Sequence, residues 1–170
     1  MDKRSKKIII TSNCVLNQNA VVRDEARRPG IMKEAVNWID ANDWGIVQLP
    51  CPELHFLGLD RPPMTVEQYD TPEFHESNRS LLEPVIKQLK EYQNHGYEIV
   101  GGIGISGSPS CDPGRGVFMN DLRELADKQG VVINFFWQIP NTPEGEFNPQ
   151  NKRSIFGAFS KRSDNEHDQS

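Results

Sequence analysis

Apolar and polar positions divide the chain into alternating strand-like and helix-like segments. Lys7 to Ser12 carries three consecutive isoleucines and a threonine. Such a continuous β-branched run suits a strand buried on both faces. After a polar stretch, Pro29-Gly30 punctuates the chain. Ile31, Ala35, Trp38 and Ile39 then follow the helical period, which fades at Ala41-Asn42-Asp43. Gly45 to Leu49 predicts a second short strand, stopped by Pro50-Cys51-Pro52. Residues 52 to 72, rich in Pro and Gly, predict an ordered loop. Thr71-Pro72 opens a helix that extends to about Asn94, with His95-Gly96 as its cap and a kink or break expected at Pro84.

Tyr97 to Ile105 predicts a third strand, and Phe118, Leu122, Leu125 and Ala126 mark a helix closed by Gly130. Val131 to Trp137 predicts a fourth strand. The order β-α-β-α-β-α-β argues for an α/β fold, a single Rossmann-like domain with a mainly parallel sheet flanked by helices. With 170 residues the chain suits one domain with a real core. The expected division is an α/β domain over 1–140 and a polar, partly disordered tail over 141–170. Within the tail, Ile155 to Phe159 is a candidate docking segment, and 160–170 has the composition of disorder.

Charge narrows the partners. The net charge is −5, and the basic residues are scattered in short clusters at Lys3 to Lys7, Arg27-Arg28 and Lys152-Arg153. This argues against a phosphate-binding face for nucleic acid. No apolar run nears the ~20 residues of a membrane helix, and Ile8-Ile9-Ile10 is too short for a signal-peptide core. The expected setting is therefore the cytoplasm, where three cysteines do not form a disulfide framework. The sequence leaves the oligomeric state open.

Cys14, Cys51 and Cys111 each follow directly on a predicted strand. The carboxyl ends of parallel strands share one sheet edge, which is where such folds bind ligands. The three thiols are thus expected to meet. Cysteines buried simply as small apolar residues would suit mid-strand positions better than loops after strands. Thiolates brought together repel one another, so a cation or cluster is their natural neutraliser. The close cysteine pairs usual in structural zinc sites are absent, although His55 could complete a Cys3His set. A cluster held by three cysteines instead leaves one iron open as a Lewis acid.

Three segments resemble the 2-thiouracil desulfidase (TudS-like) family. They are Ser12-Asn13-Cys14-Val15-Leu16, then Cys51-Pro52-Glu53-Leu54 with Gly58-Leu59-Asp60-Arg61-Pro62-Pro63, and Ser108-Pro109-Ser110-Cys111. The likeness spans roughly residues 7 to 136. The chain departs from it at Asn17 to Val22, in place of Leu-Leu-Gly and an Arg-Tyr-Asp-Gly turn, and at Asp112, where a glycine is usual. This marks a divergent branch.

The resemblance implies a [4Fe–4S] cluster bound by Cys14, Cys51 and Cys111, with the fourth iron taking the sulfur of a small thiolated substrate such as a thiouracil-type base. Sulfur removal would be hydrolytic and non-redox. Glu53, two residues from Cys51, is the candidate general base. Ser108 is the candidate proton relay or substrate-holding group, and Ser110 the second choice. The alternative is a three-cysteine metal or redox sensor, or a sulfur-handling protein, without thiouracil turnover. Gly102 to Gly107 matches G-x-G-x-x-G, but Pro109, Cys111 and Pro113 intervene before any helix, which argues against a dinucleotide site. Those glycines are expected to let the backbone approach a cluster or substrate. Trp38, Trp44 and Trp137 are expected at the core or its edge.

Overall fold

In the computed structural model, which describes residues 1–142 and 144–154, the isoleucine run forms β1 (Lys7–Thr11), an inner strand. Ile9 and Ile10 are wholly buried. Each such side chain contributes about 1.5–3 kcal/mol relative to exposure. The sheet has five strands in the order β2-β1-β3-β4-β5, with β2 at Gly45–Gln48, β3 at Glu98–Ile105, β4 at Phe135–Ile139 and β5 at Arg153–Ser154. The first four run parallel, and β5 pairs antiparallel with β4. The fold is the expected α/β sheet flanked by helices. The chain goes from β1 to β2 on one side and returns to β3 on the other, so the topological switch point lies between β1 and β3.

The helices are α1 (Asn13–Leu16), α2 (Lys33–Ala41), α3 (Pro52–Leu57), α4 (Val66–Tyr69), α5 (Pro72–Asn94) and α6 (Val117–Gln129). Three sequence expectations need correction. Residues 52 to 72 are not simply loop, because two short capped helices lie within them. Cys51 caps α3 with Pro52 in its first turn, and Thr65 and Gln68 form a reciprocal capping box on α4.

Helix α5 does not break at Pro84. A proline inside a helix costs about 3 kcal/mol. Leu82, Val85, Ile86 and Leu89 bury their side chains on either side of it, and their burial outweighs that cost.

The fourth strand begins at Phe135, not Val131. Val131 and Ile133 are buried, but the ladder with β3 opens only at Gly101 and Phe135. Beyond Asn141 the polar segment returns to the sheet. The Trp137 indole Nε1 donates to Pro149 O at 2.8 Å, and Phe147 packs on Trp38. Trp38, Trp44 and Trp137 form one aromatic cluster, with Trp38 edge-on to both of the others. The docking segment at 155–159 and the disorder expected over 160–170 lie outside the described residues. Among the described residues, no helix is long and apolar enough to cross a membrane.

Candidate functional site

Each cysteine sits where a strand gives way to a turn. Cys14 is in the first turn of α1, directly beyond β1. Cys51 is the N-cap of α3 after β2, and its Sγ accepts the Leu54 N–H at 3.4 Å. Cys111 lies in the turn between β3 and α6, which folds back so that Ile105 N donates to Cys111 O at 2.9 Å. All three line one cavity of about 430 Å³ at the carboxyl edge of the sheet, and none is in a disulfide. The topology thus brings together what the sequence expected it to.

The electrostatics agree with that proximity. Burial pushes the Cys14 thiol up to about 12, and Cys51 adds to the effect. Burial raises Cys51 as well. Cys111 is raised well above the ordinary thiol range, first by burial and then by Cys14, Cys51 and Glu53. Without a bound cation, the low dielectric of the site disfavours all three thiolates.

Glu53 stands on the first turn of α3, buried, at the wall of the same cavity. Arg61 Nε donates to its Oε1 at 3.1 Å, and Ser110 Oγ donates to its Oε2 at 2.7 Å. A buried ion pair is tolerated when its remaining donors are also satisfied. Arg61 meets that condition by donating to Gly58 O at 3.0 Å and to Ala20 O at 2.7 Å.

Ser108 also lines the cavity. Its Oγ accepts the N–H groups of Cys111 at 3.0 Å and Ser110 at 3.3 Å, which leaves its own hydrogen to donate. The two serines therefore differ in kind. Ser110, wholly buried, supports Glu53, whereas Ser108 faces the cavity.

Two supports had no reading in the sequence. Buried Gln18 donates from Nε2 to Cys14 O at 2.8 Å, and its Oε1 accepts the Arg27 N–H at 2.8 Å. Asp112, at the divergent position, ties down the Cys111 turn. Its oxygens accept the N–H groups of Gly107, Gly114 and Arg115 at 2.8, 2.7 and 3.1 Å. An aspartate two residues before a glycine is a turn signal that could have shown this role.

His55 does not join the site. It is exposed on α3 and is not part of the cavity wall. The glycine-rich strand also serves a different end from the one expected. A side chain at Gly104 would sit 2.3 Å from Cys111 O, so this glycine admits the Cys111 turn itself rather than a ligand. Gly107 is left-handed, at φ +81°, and lies against Asn141.

Among the described residues, no group of three or more His, Cys, Asp or Glu is arranged to hold a metal ion. Three soft thiol donors do line one cavity, with no histidine beside them, the donor type that iron–sulfur clusters take. Two buried hydroxyls face the site: Tyr69 interacts with the Glu53 carboxylate, and Ser12, just before α1, with the Cys111 thiol. Arg27, on the cavity wall, has a buried Nε without a hydrogen-bond partner.

Over 132 residues the chain is 42% identical to the uncharacterized protein MJ0003 of Methanocaldococcus jannaschii, a match covering 76% of this chain and 84% of that protein. No protein-family model matches, and no solved structure matches.

Proposed function

The chain belongs to the family of MJ0003, and we propose that it is a cytoplasmic iron–sulfur desulfidase that removes sulfur hydrolytically from a small thiolated compound such as a thiouracil-type base. The observation that carries this reading is the placement of Cys14, Cys51, Cys111 and Glu53 around one cavity. The resemblance of their surrounding segments to 2-thiouracil desulfidases supports it. Cys14, Cys51 and Cys111 would hold a [4Fe–4S] cluster, which supplies an open iron as a Lewis acid for soft sulfur.

The remaining chemistry falls to the chain's own residues. Glu53 takes a proton from the water that attacks the thiocarbonyl carbon. Arg61 and Ser110 fix the orientation of its carboxylate through Oε1 and Oε2. Ser108 donates its hydroxyl hydrogen to a ring nitrogen or oxygen of the substrate. The carbon gains oxygen and loses sulfur as sulfide, with no net change in oxidation state.

The test is to purify the protein without oxygen, reconstitute it with iron and sulfide, and incubate it with 2-thiouracil. Uracil and sulfide formed in equal amounts by wild type, and not by Glu53→Gln with its visible spectrum intact, is the expected result. A loaded protein that turns over no thiolated pyrimidine overturns the reading in favour of a sensor.

A further inference from the structure

Arg61, Pro63 and Met64 line the cysteine cavity, and they belong to a segment that runs from Gly58, left-handed at φ +88°, to Thr71. Among the described residues, residues 59–70 make backbone-to-backbone hydrogen bonds only with one another and with Thr71. Side chains hold this segment to the body. Arg61 anchors its start to Glu53 and to Ala20 O. Tyr69 anchors its end, in a small apolar cluster with Phe74 and Val117 that is separate from the main core. A segment tied down by so few buried apolar contacts opens locally at a lower free energy than the sheet.

His75 on α5 fastens the end that carries Tyr69. Its Nε2 lies 2.6 Å from Asp70 Oδ1 at the end of α4, and its Nδ1 lies 2.8 Å from Asp121 Oδ1 on α6. Asp70 and Asp121 are the charged groups that bear on the ring, while Glu76 and Arg79 of its own helix are exposed. A carboxylate only accepts, so both contacts are hydrogen bonds only while both ring nitrogens carry hydrogen. A neutral imidazole has one N–H and can keep one of them. Asp121 is buried and also accepts the Asn78 amide at 3.0 Å, whereas the Asp70 side chain is 61% exposed. Water can replace a lost donor at Asp70 but not at Asp121. On deprotonation the remaining hydrogen therefore stays on Nδ1, and Asp70 is let go.

We propose that residues 59–70 are a strap along the cavity, latched by protonated His75 through Asp70, and that loss of the His75 proton loosens α4 and opens the cysteine site. The latch acts close to the chemistry. Tyr69, next to Asp70, interacts with the Glu53 carboxylate, and its neighbour Val117 begins the helix that follows the Cys111 turn. Burial opposes the charged ring and the two carboxylates outweigh it, so its pKa lies above the ordinary 6.5. The latch is thus closed below pH 6.5 and is released as pH rises through the folded-state value. The device requires the cavity and its strap, and it is independent of which reaction the cavity performs.

Hydrogen exchange of the full-length protein reads the strap directly. The amides of Tyr69, Asp70 and Thr71 are hydrogen-bonded in the closed strap. Their protection, corrected for the intrinsic rate, is expected to fall about threefold or more between about pH 6 and about pH 9. The amides of β1 and β3 are expected to change less. In His75→Gln and in Asp70→Asn, the strap amides are expected to show the low protection at every pH. Access to the site is read at a single pH of about 6.5, so that wild type and variant share the same thiolate fraction. There iodoacetamide is expected to alkylate the cysteines of the reduced, metal-free full-length protein about threefold or more faster in Asp70→Asn than in wild type.

Strap protection that does not change with pH in wild type, that keeps its pH dependence in His75→Gln, or that falls in step with β1 and β3 overturns the latch. Equal alkylation of Asp70→Asn and wild type overturns its control of the cysteine site.

Discussion

The Ser110 hydroxyl donates to Glu53 Oε2 at 2.7 Å, joining residues 57 positions apart at a buried point behind the cysteines. Ser110→Ala leaves that oxygen without its donor in a place water does not replace. A buried acceptor stripped of its partner costs about 1–3 kcal/mol. The expected outcome is a loss of stability of that size in urea unfolding, together with slower desulfidation. Ser108→Ala is expected to slow turnover with a smaller loss of stability, since Ser108 is only partly buried.

Arg61 makes the complementary case. Its side chain is 2% exposed and its partner Glu53 is 10% exposed. Removing one member of such a pair strands the other charge, at a cost of about 3–5 kcal/mol. Arg61→Met is expected to show that loss in urea unfolding. Arg61→Met combined with Glu53→Gln is expected to recover part of it, because no buried charge is then left alone.

These supports explain what could be read in advance. The convergence of Cys14, Cys51 and Cys111 was legible because parallel strands end on one edge, and three strand-like runs each stopped at a cysteine. The Glu53–Ser110–Arg61 network was not, since it depends on how three loops pack rather than on any periodicity. Helix α3 was hidden by the Pro and Gly content of its surroundings, although Thr65-x-x-Gln68 gave a readable signal for α4. Strand β5, only Arg153 and Ser154, has no apolar pattern to find. The late start of β4 was hidden because Val131 and Ile133 are buried like strand residues without joining the ladder.

Gly104 couples the sheet to the site. The Cys111 carbonyl occupies the space that a Cβ at 104 would need, with Pro113 close behind. Gly104→Ala is expected to push the Cys111 turn away from β3, at about 1–3 kcal/mol. Iron bound per chain should fall in parallel with stability. Normal iron content in a destabilised variant would separate the turn's packing from its role in ligation.

A pH effect is expected away from the cavity. His75 on α5 bridges two carboxylates, with Nε2 2.6 Å from Asp70 and Nδ1 2.8 Å from Asp121, a buried residue of α6. Burial lowers the His75 pKa, and the bonds to Asp70 and Asp121 more than offset this, so it lies above its ordinary 6.5. A raised folded-state value stabilises the protein fully below pH 6.5, and the gain is lost as pH rises through the folded value. The difference in Tm between wild type and His75→Gln is therefore expected to be largest in mildly acidic buffer and to shrink as the pH rises. A difference that grew with pH would contradict the charged bridge.

Cys111 offers the cleanest test of the metal group, because its backbone is secured independently of its sulfur. Its carbonyl accepts from Ile105 N, and its amide donates to Ser108 Oγ. Replacing the thiol by hydrogen removes one heavy atom from the edge of the core and leaves those bonds in place. Cys111→Ala is thus expected to fold with a modest loss of stability, of about 1 kcal/mol. Wild type prepared without oxygen is expected to be brown and to carry about four irons per chain, and the variant to lose both the colour and the iron. A wild type that stays colourless after reconstitution, or that takes up zinc instead, would remove the cluster from the proposed function and leave three thiols that serve another chemistry.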